Sequence, residues 1–178
     1  MKQSKEPQRI EGLSHITKIS VGTFACAALA ATPQSQDIGN KAHELYLWGN
    51  LFKFNEPKYT PSKAYEDVQL VQVLRKEGID PNCLLQVKGV SVGKSHVIVM
   101  TESLRVFTFG CNQNFVLGVP GDSAKCTEID FKKVFSKSKS DKSILTSIRP
   151  IKVAANEMSS AILTLHGKIV YWGYEGEK

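Results

Sequence analysis

Apolar and polar positions alternate most regularly between Val90 and Gly118, in VSVGKSHVIVMTESLRVFTFGCNQNFVLG. Gly93 leads into the apolar run Val97 to Met100, and a second run rich in β-branched and aromatic residues, Val106 to Phe109, follows it. Two such runs joined through the turn-like residues 102 to 105 predict an antiparallel hairpin. The arrangement occurs twice more. In VAANEMSSAILTLHGKIVYWG, Asn156 stands where Gly93 stands, Thr164 where Thr101 stands and Gly173 where Gly110 stands. The spacings 93 to 101 and 156 to 164 are both eight, and 101 to 110 and 164 to 173 are both nine. In ISVGTFACAALA the spacing from Gly22 to Ala30 is again eight, and that copy closes on LYLWGN after a turn lengthened to residues 31 to 44. The closing glycines Gly49, Gly110 and Gly173 give periods of 61 and 63, and near-constant period with insertions confined to turns marks a repeat architecture.

Each repeated residue has a physical reason. Gly22 and Gly93 precede strands, where a turn with positive φ is expected, and Asn156 replaces them with the residue that tolerates that region best after glycine. Gly49, Gly110 and Gly173 follow Trp48, Phe109 and Trp172, so a ring able to fill the space between packed sheets adjoins a residue that lets the chain turn sharply.

The pattern glycine-x-x-histidine, apolar strand, threonine, turn, strand ending in aromatic-glycine, then asparagine and leucine-glycine resembles the regulator of chromosome condensation repeat. The middle copy carries Gly93, His96, Thr101, Phe109, Gly110, Asn112, Leu117 and Gly118. The third keeps Thr164, Gly167, Trp172 and Gly173, with Asn156 and Ser159 at the glycine and histidine positions. The first keeps Gly22, Trp48 and Gly49, with Ala25 and Ala30 at the histidine and threonine positions. The resemblance implies an all-β fold, a partial β-propeller of about three four-stranded antiparallel blades from a ring that is seven-bladed when complete. A polar lead-in over 1–15 precedes a propeller portion over 16–178, with repeats at roughly 16–61, 84–128 and 148–178. Residues 62–89 fit neither period strictly and are read as a short strand or helical turn near Val71, a loop at 78–82 and a strand from Leu84 to Val87.

Composition sharpens this picture. The 178 residues hold a little under three periods, whereas roughly four or more blades close a propeller, so further blades from a longer parent chain or a second chain are expected. A hydrophobic content of 42% allows a sizeable core, but unclosed ends expose sheet edges and inter-blade faces, an association liability. The formal charge of +6, from 23 Lys and Arg against 17 Asp and Glu, gives only a mild preference for acidic partners. Cys26, Cys83, Cys111 and Cys126 have no paired spacing and read as reduced thiols of an intracellular, cytoplasmic or nuclear protein. No apolar signal core is present at the N-terminus, and the longest apolar stretch, Val21 to Ala31, is too short to span a bilayer, so no membrane partner is expected.

Candidate chemistry is sparse. His96 at the repeat's histidine position is expected to satisfy backbone groups between blades. Ser95 and His96 with Asp67 or Asp80 form a triad only on paper, without a nucleophile-elbow signature. Gly93-Lys94-Ser95 lacks the upstream glycine of a phosphate loop, since Lys88 stands there, and it leads into a strand. His15, His43 and His166 have no metal-ligand spacing. No catalytic, cofactor or metal site is therefore assigned, and the chain reads as a non-enzyme. One segment, FKKVFSKSKSDKS, concentrates Lys132, Lys133, Lys137, Lys139 and Lys142 in what reads as a surface loop, a candidate contact for nucleic-acid phosphates or an acidic protein face. The functional expectation is a protein-interaction scaffold that binds a macromolecule through blade-rim loops. The alternative that the resemblance implies is guanine-nucleotide exchange on a Ran-like small GTPase together with chromatin association.

Overall fold

The computed structural model describes residues 6–7, 9–31, 43–49, 65–70, 87–121, 123–136 and 148–174. The first blade is an antiparallel sheet of β1 (Ile16–Val21), β2 (Ala25–Ala31), β3 (His43–Gly49) and β4 (Tyr65–Leu70), in that order. The second contains β5 (Val87–Val92), β6 (His96–Thr101), β7 (Val106–Gly110) and β8 (Ser123–Glu128). The third contains β9 (Pro150–Ala155), β10 (Ser159–Thr164) and β11 (Ile169–Gly173) among the described residues. A short helix, α1 (Phe131–Ser136), lies between the second and third sheets in sequence. None of the helices among the described residues is long and apolar enough to cross a membrane.

The repeat offsets are borne out as strand register. Trp48 pairs with Cys26, Phe109 with Val97 and Trp172 with Ser160, while Gly49, Gly110 and Gly173 pair with Ala25, His96 and Ser159. These three glycines have φ of +100°, +123° and +111°, and a Cβ on each would lie 2.3–2.6 Å from the carbonyl oxygen of Phe24, Ser95 or Met158. The threonines clasp the hairpin turns. Thr101 Oγ1 accepts the amide of Arg105 at 3.1 Å and Thr164 Oγ1 that of Lys168 at 3.1 Å.

Gly22 and Gly93 serve a different purpose from the one their sequence context suggests. Neither has positive φ. A Cβ at Gly22 would lie 2.1 Å from the carbonyl oxygen of Gly93, and one at Gly93 would lie 2.4 Å from that of Asn156. At Gly22 the atoms that exclude a side chain all belong to the next blade, which a single repeat cannot reveal. At Gly93 the next blade's carbonyl shares that role with the His96 ring of its own repeat, whose Cε1 would lie 2.3 Å from a Cβ. The boundaries also shift. The first blade extends past residue 61, because β4 pairs with β3 through Tyr46–Leu70 and Leu47–Gln69. The second blade's first described strand is Val87–Val92. Residues 71–86, which hold the element read near Val71, the loop at 78–82 and most of the strand read from Leu84 to Val87, lie outside the described ones.

Packing runs blade to blade. Ala25, Ala27, Leu29, Leu45 and Leu47 of the first blade bury themselves against Val92, Val97, Val99, Phe107 and Phe109 of the second. The opposite face of the second blade, Ile98, Met100 and Val106, packs on Val153 and Ile162 of the third. We call the face that meets the following blade forward and its reverse trailing. The middle blade is thus covered on both faces, and every residue of β6 is buried. The ends are open: on β1, Ile19 and Val21 are each 71% exposed, and on β11, Ile169 is 72% exposed.

Candidate interaction site at the blade rim

The most constrained surface loop leaves β7 at Gly110. Asn112 organises it from both ends of its amide: Oδ1 accepts the Leu117 N–H at 2.9 Å, and Nδ2 donates to the Val119 carbonyl at 2.8 Å. Val116 and Leu117 are buried beneath the loop. The Val116 carbonyl accepts Trp172 Nε1–H and the Ser160 hydroxyl, each at 2.8 Å, so the third blade holds the second blade's loop. Gly118, with φ +65°, is required because a Cβ there would lie 2.9 Å from the Trp172 indole nitrogen.

Held this way, the loop turns one ring outward. Asn114 and Phe115 have φ of +61° and +59°, two successive non-glycine residues in the left-handed region, and Phe115 is 80% exposed. Bulky side chains visit that region at a cost of about 1–2 kcal/mol per residue, and backbone strain of this kind collects where a surface has a function. Phe115, Val119 and Pro120 line a groove of about 690 Å3 that also meets Glu128, Asp130 and Lys133. Arg105 donates from Nε to Glu128 Oε1 at 2.7 Å and closes a second contact from Nη2 to Oε2. It lies over the Phe107 ring, 5.0 Å from its centroid.

The lysine segment borders this groove, and it is not simply a loop. Its first part is α1, started by Asp130, whose Oδ1 accepts the Lys133 N–H at 3.1 Å as an N-cap. Phe131 packs edge-to-face on Trp172, centroids 6.1 Å apart, so this ring anchors the segment. Lys132 and Lys133 are exposed on α1. Lys137, Lys139 and Lys142 lie outside the described residues.

His96 is fully buried between blades, and its Nε2 meets the Ser160 hydroxyl at 2.8 Å. Since that hydroxyl donates to the Val116 carbonyl, His96 Nε2–H is the donor to Ser160, which fixes the tautomer. The histidine therefore satisfies a side chain rather than the backbone groups expected for it. Burial lowers its pKa from 6.5 to about 4, and Nδ1 is left without a partner. Gly93, Lys94 and Ser95 lead into strand β6, as their sequence requires. Among the described residues Cys26, Cys111 and Cys126 form no disulfide, and burial pushes Cys126 up to about 12; Cys83 lies outside the described residues. Phe115 was the residue sequence reasoning missed. Its signal was an aromatic ring inside the polar turn CNQNFVLG, where no strand needed one.

Comparison with known proteins agrees with this architecture. The chain matches no protein-family model. It is similar to protein RCC1 of Candida albicans, 24% identical over 176 residues, which is 97% of this chain and 34% of that protein. Among solved structures, Prp20p from Saccharomyces cerevisiae, a protein with binding properties to Gsp1p and histones, aligns with a TM-score of 0.60 and 15% identity over 92% of this chain and 34% of its own. Human WBSCR16 aligns with a TM-score of 0.57 and 20% identity, over 89% and 34% respectively. The chain thus spans about a third of the length of the proteins it matches. Its fold is a partial β-propeller with repeats of the regulator of chromosome condensation type.

Proposed function

We propose that the chain is a non-enzymatic interaction scaffold that binds a protein partner through the exit loop of the second blade and the neighbouring α1. Phe115 is the observation that carries this reading: a large ring, 80% exposed, on a loop that Asn112, Trp172 and Ser160 hold rigid. A preorganised aromatic loses little entropy on binding and is the kind of side chain that dominates interface energies. Lys132 and Lys133 beside the groove favour an acidic surface on the partner. The binding properties of Prp20p make a Gsp1p-class GTPase and histones the partners to test first.

The experiment is a calorimetric titration of each purified partner into the chain and into its Phe115→Ala variant. Binding that weakens at least about tenfold in the variant supports the reading. Equal affinity of the two proteins, or no binding by either, contradicts it. Release of labelled nucleotide from the GTPase, followed in parallel, distinguishes exchange from scaffolding.

A further inference from the structure

Two positions recur at the contacts between blades, and the third blade departs at both. Ser20 Oγ accepts the amide of Val92 at 2.9 Å, and Ser91 Oγ, at the equivalent place in the second blade, accepts that of Ala155 at 2.9 Å. Each serine thus reaches from one blade's inner strand to the inner strand of the next. Two residues later, Gly22 and Gly93 leave the room into which the carbonyls of Gly93 and Asn156 project. The hairpin at this point is the same in all three blades, with N–H to carbonyl distances of 2.8, 2.9 and 3.0 Å from Gly22, Gly93 and Asn156. In the third blade the serine is replaced by Ala154 and the glycine by Asn156, both exposed. Alanine offers no acceptor for a following amide. The Cβ of Asn156 occupies the space that a following carbonyl would need, and its Oδ1 is engaged locally with the Met158 and Ser159 amides at 2.9 and 2.8 Å.

We propose that the forward face of the third blade is a seam that does not accept another blade in the geometry of the first three. The trailing face of the first blade, by contrast, is a docking surface for a propeller blade whose inner strand carries a serine and a glycine two residues apart. That occupant follows from continuity with two existing interfaces, both of which use serine and glycine on the preceding blade. On the docking surface Val21 holds the position of Val92 and is 71% exposed. Head-to-tail stacking of two copies of the chain is blocked, because it would bring Asn156 of one against Gly22 of the other.

A variant of the chain itself supplies the missing blade chemistry. Analytical ultracentrifugation compares the full chain, Ala154→Ser/Asn156→Gly, and each of these with Val21→Lys added. The double variant is expected to gain a concentration-dependent rise in mass, at least about twofold over the chain, that Val21→Lys abolishes. Val21→Lys leaves the mass of the unaltered chain unchanged. A double variant that sediments like the unaltered chain overturns the proposal, as does an unaltered chain whose mass falls on Val21→Lys. The interface already present provides the counterpart. Ser91→Ala and Gly22→Ala each lower Tm by at least about 3 °C while Ala154→Ser does not; unchanged melting of the first two variants overturns the assignment of these residues as the inter-blade contact.

Discussion

At the scale of single residues, His96 shows how a repeat motif becomes a joint between blades. Its proton bridges to Ser160, whose own proton goes to the Val116 carbonyl that also receives Trp172, so four residues from two blades share one network. Burial favours the neutral imidazole and brings the pKa from 6.5 to about 4. The unfolded chain therefore takes up a proton at a pH where the folded chain does not, and folding is opposed as pH falls. The contribution is complete above about pH 6.5 and is lost progressively down to about pH 4, on the order of 3 kcal/mol in all. Urea unfolding across that range should show the decline, with a flatter profile for His96→Leu. Matching profiles in the two proteins would count against the joint. The sequence showed that position 96 mattered but not what it met, because Ser160 lies in another repeat and no spacing rule connects them.

At the scale of elements, the hairpins were the most legible part of the chain. Threonine eight residues after the glycine and aromatic-glycine nine residues later are local signals, and β-pairing made them visible as register. Gly167 illustrates the turn between: φ is +73° and no atom lies within 4 Å of where a Cβ would stand. Gly167→Ala should therefore cost about 1 kcal/mol from backbone strain alone, measurable as a fall in Tm of about 2–4 °C. The equivalent Leu104 already bears that strain at φ +60°. The least legible element was α1. Six residues give too little periodicity to register as a helix, although Asp130 three residues before Lys133 is a usable cap signal. If the lysine segment engages DNA, five lysines on phosphates predict a log–log salt slope of about −4 to −5 with little sequence preference. Replacing Lys132, Lys133, Lys137, Lys139 and Lys142 by glutamine should flatten it. A DNA titration at two salt concentrations decides this, and equal affinities for the two proteins would remove nucleic acid from consideration.

At the scale of the whole molecule, stability comes from stacking. The middle blade is dry on both faces, while Ile19, Val21 and Ile169 at the two ends remain wet. The association liability expected from an unclosed ring is therefore visible as surface, and the residues at positions 154 and 156 determine which end can use it. The glycines at 22 and 93 carried this information in the sequence from the start. It became readable only once neighbouring blades were side by side, since the carbonyls of Gly93 and Asn156 that a Cβ would strike belong to another repeat, although at Gly93 the His96 ring of the same repeat crowds the position as well. The packing of blade on blade is the central claim, and a double-mutant cycle across the second and third blades tests it most directly. His96 and Ser160 are 64 residues apart in sequence and 2.8 Å apart in the fold. Ser160→Ala alone should cost about 1–3 kcal/mol, because it leaves a buried N–H of His96 without an acceptor. In a His96→Leu background the same change should cost at least about 1 kcal/mol less, since no donor is then stranded. Additivity of the two substitutions to within about 0.5 kcal/mol would mean that the residues do not meet, and would contradict the stacking of these blades.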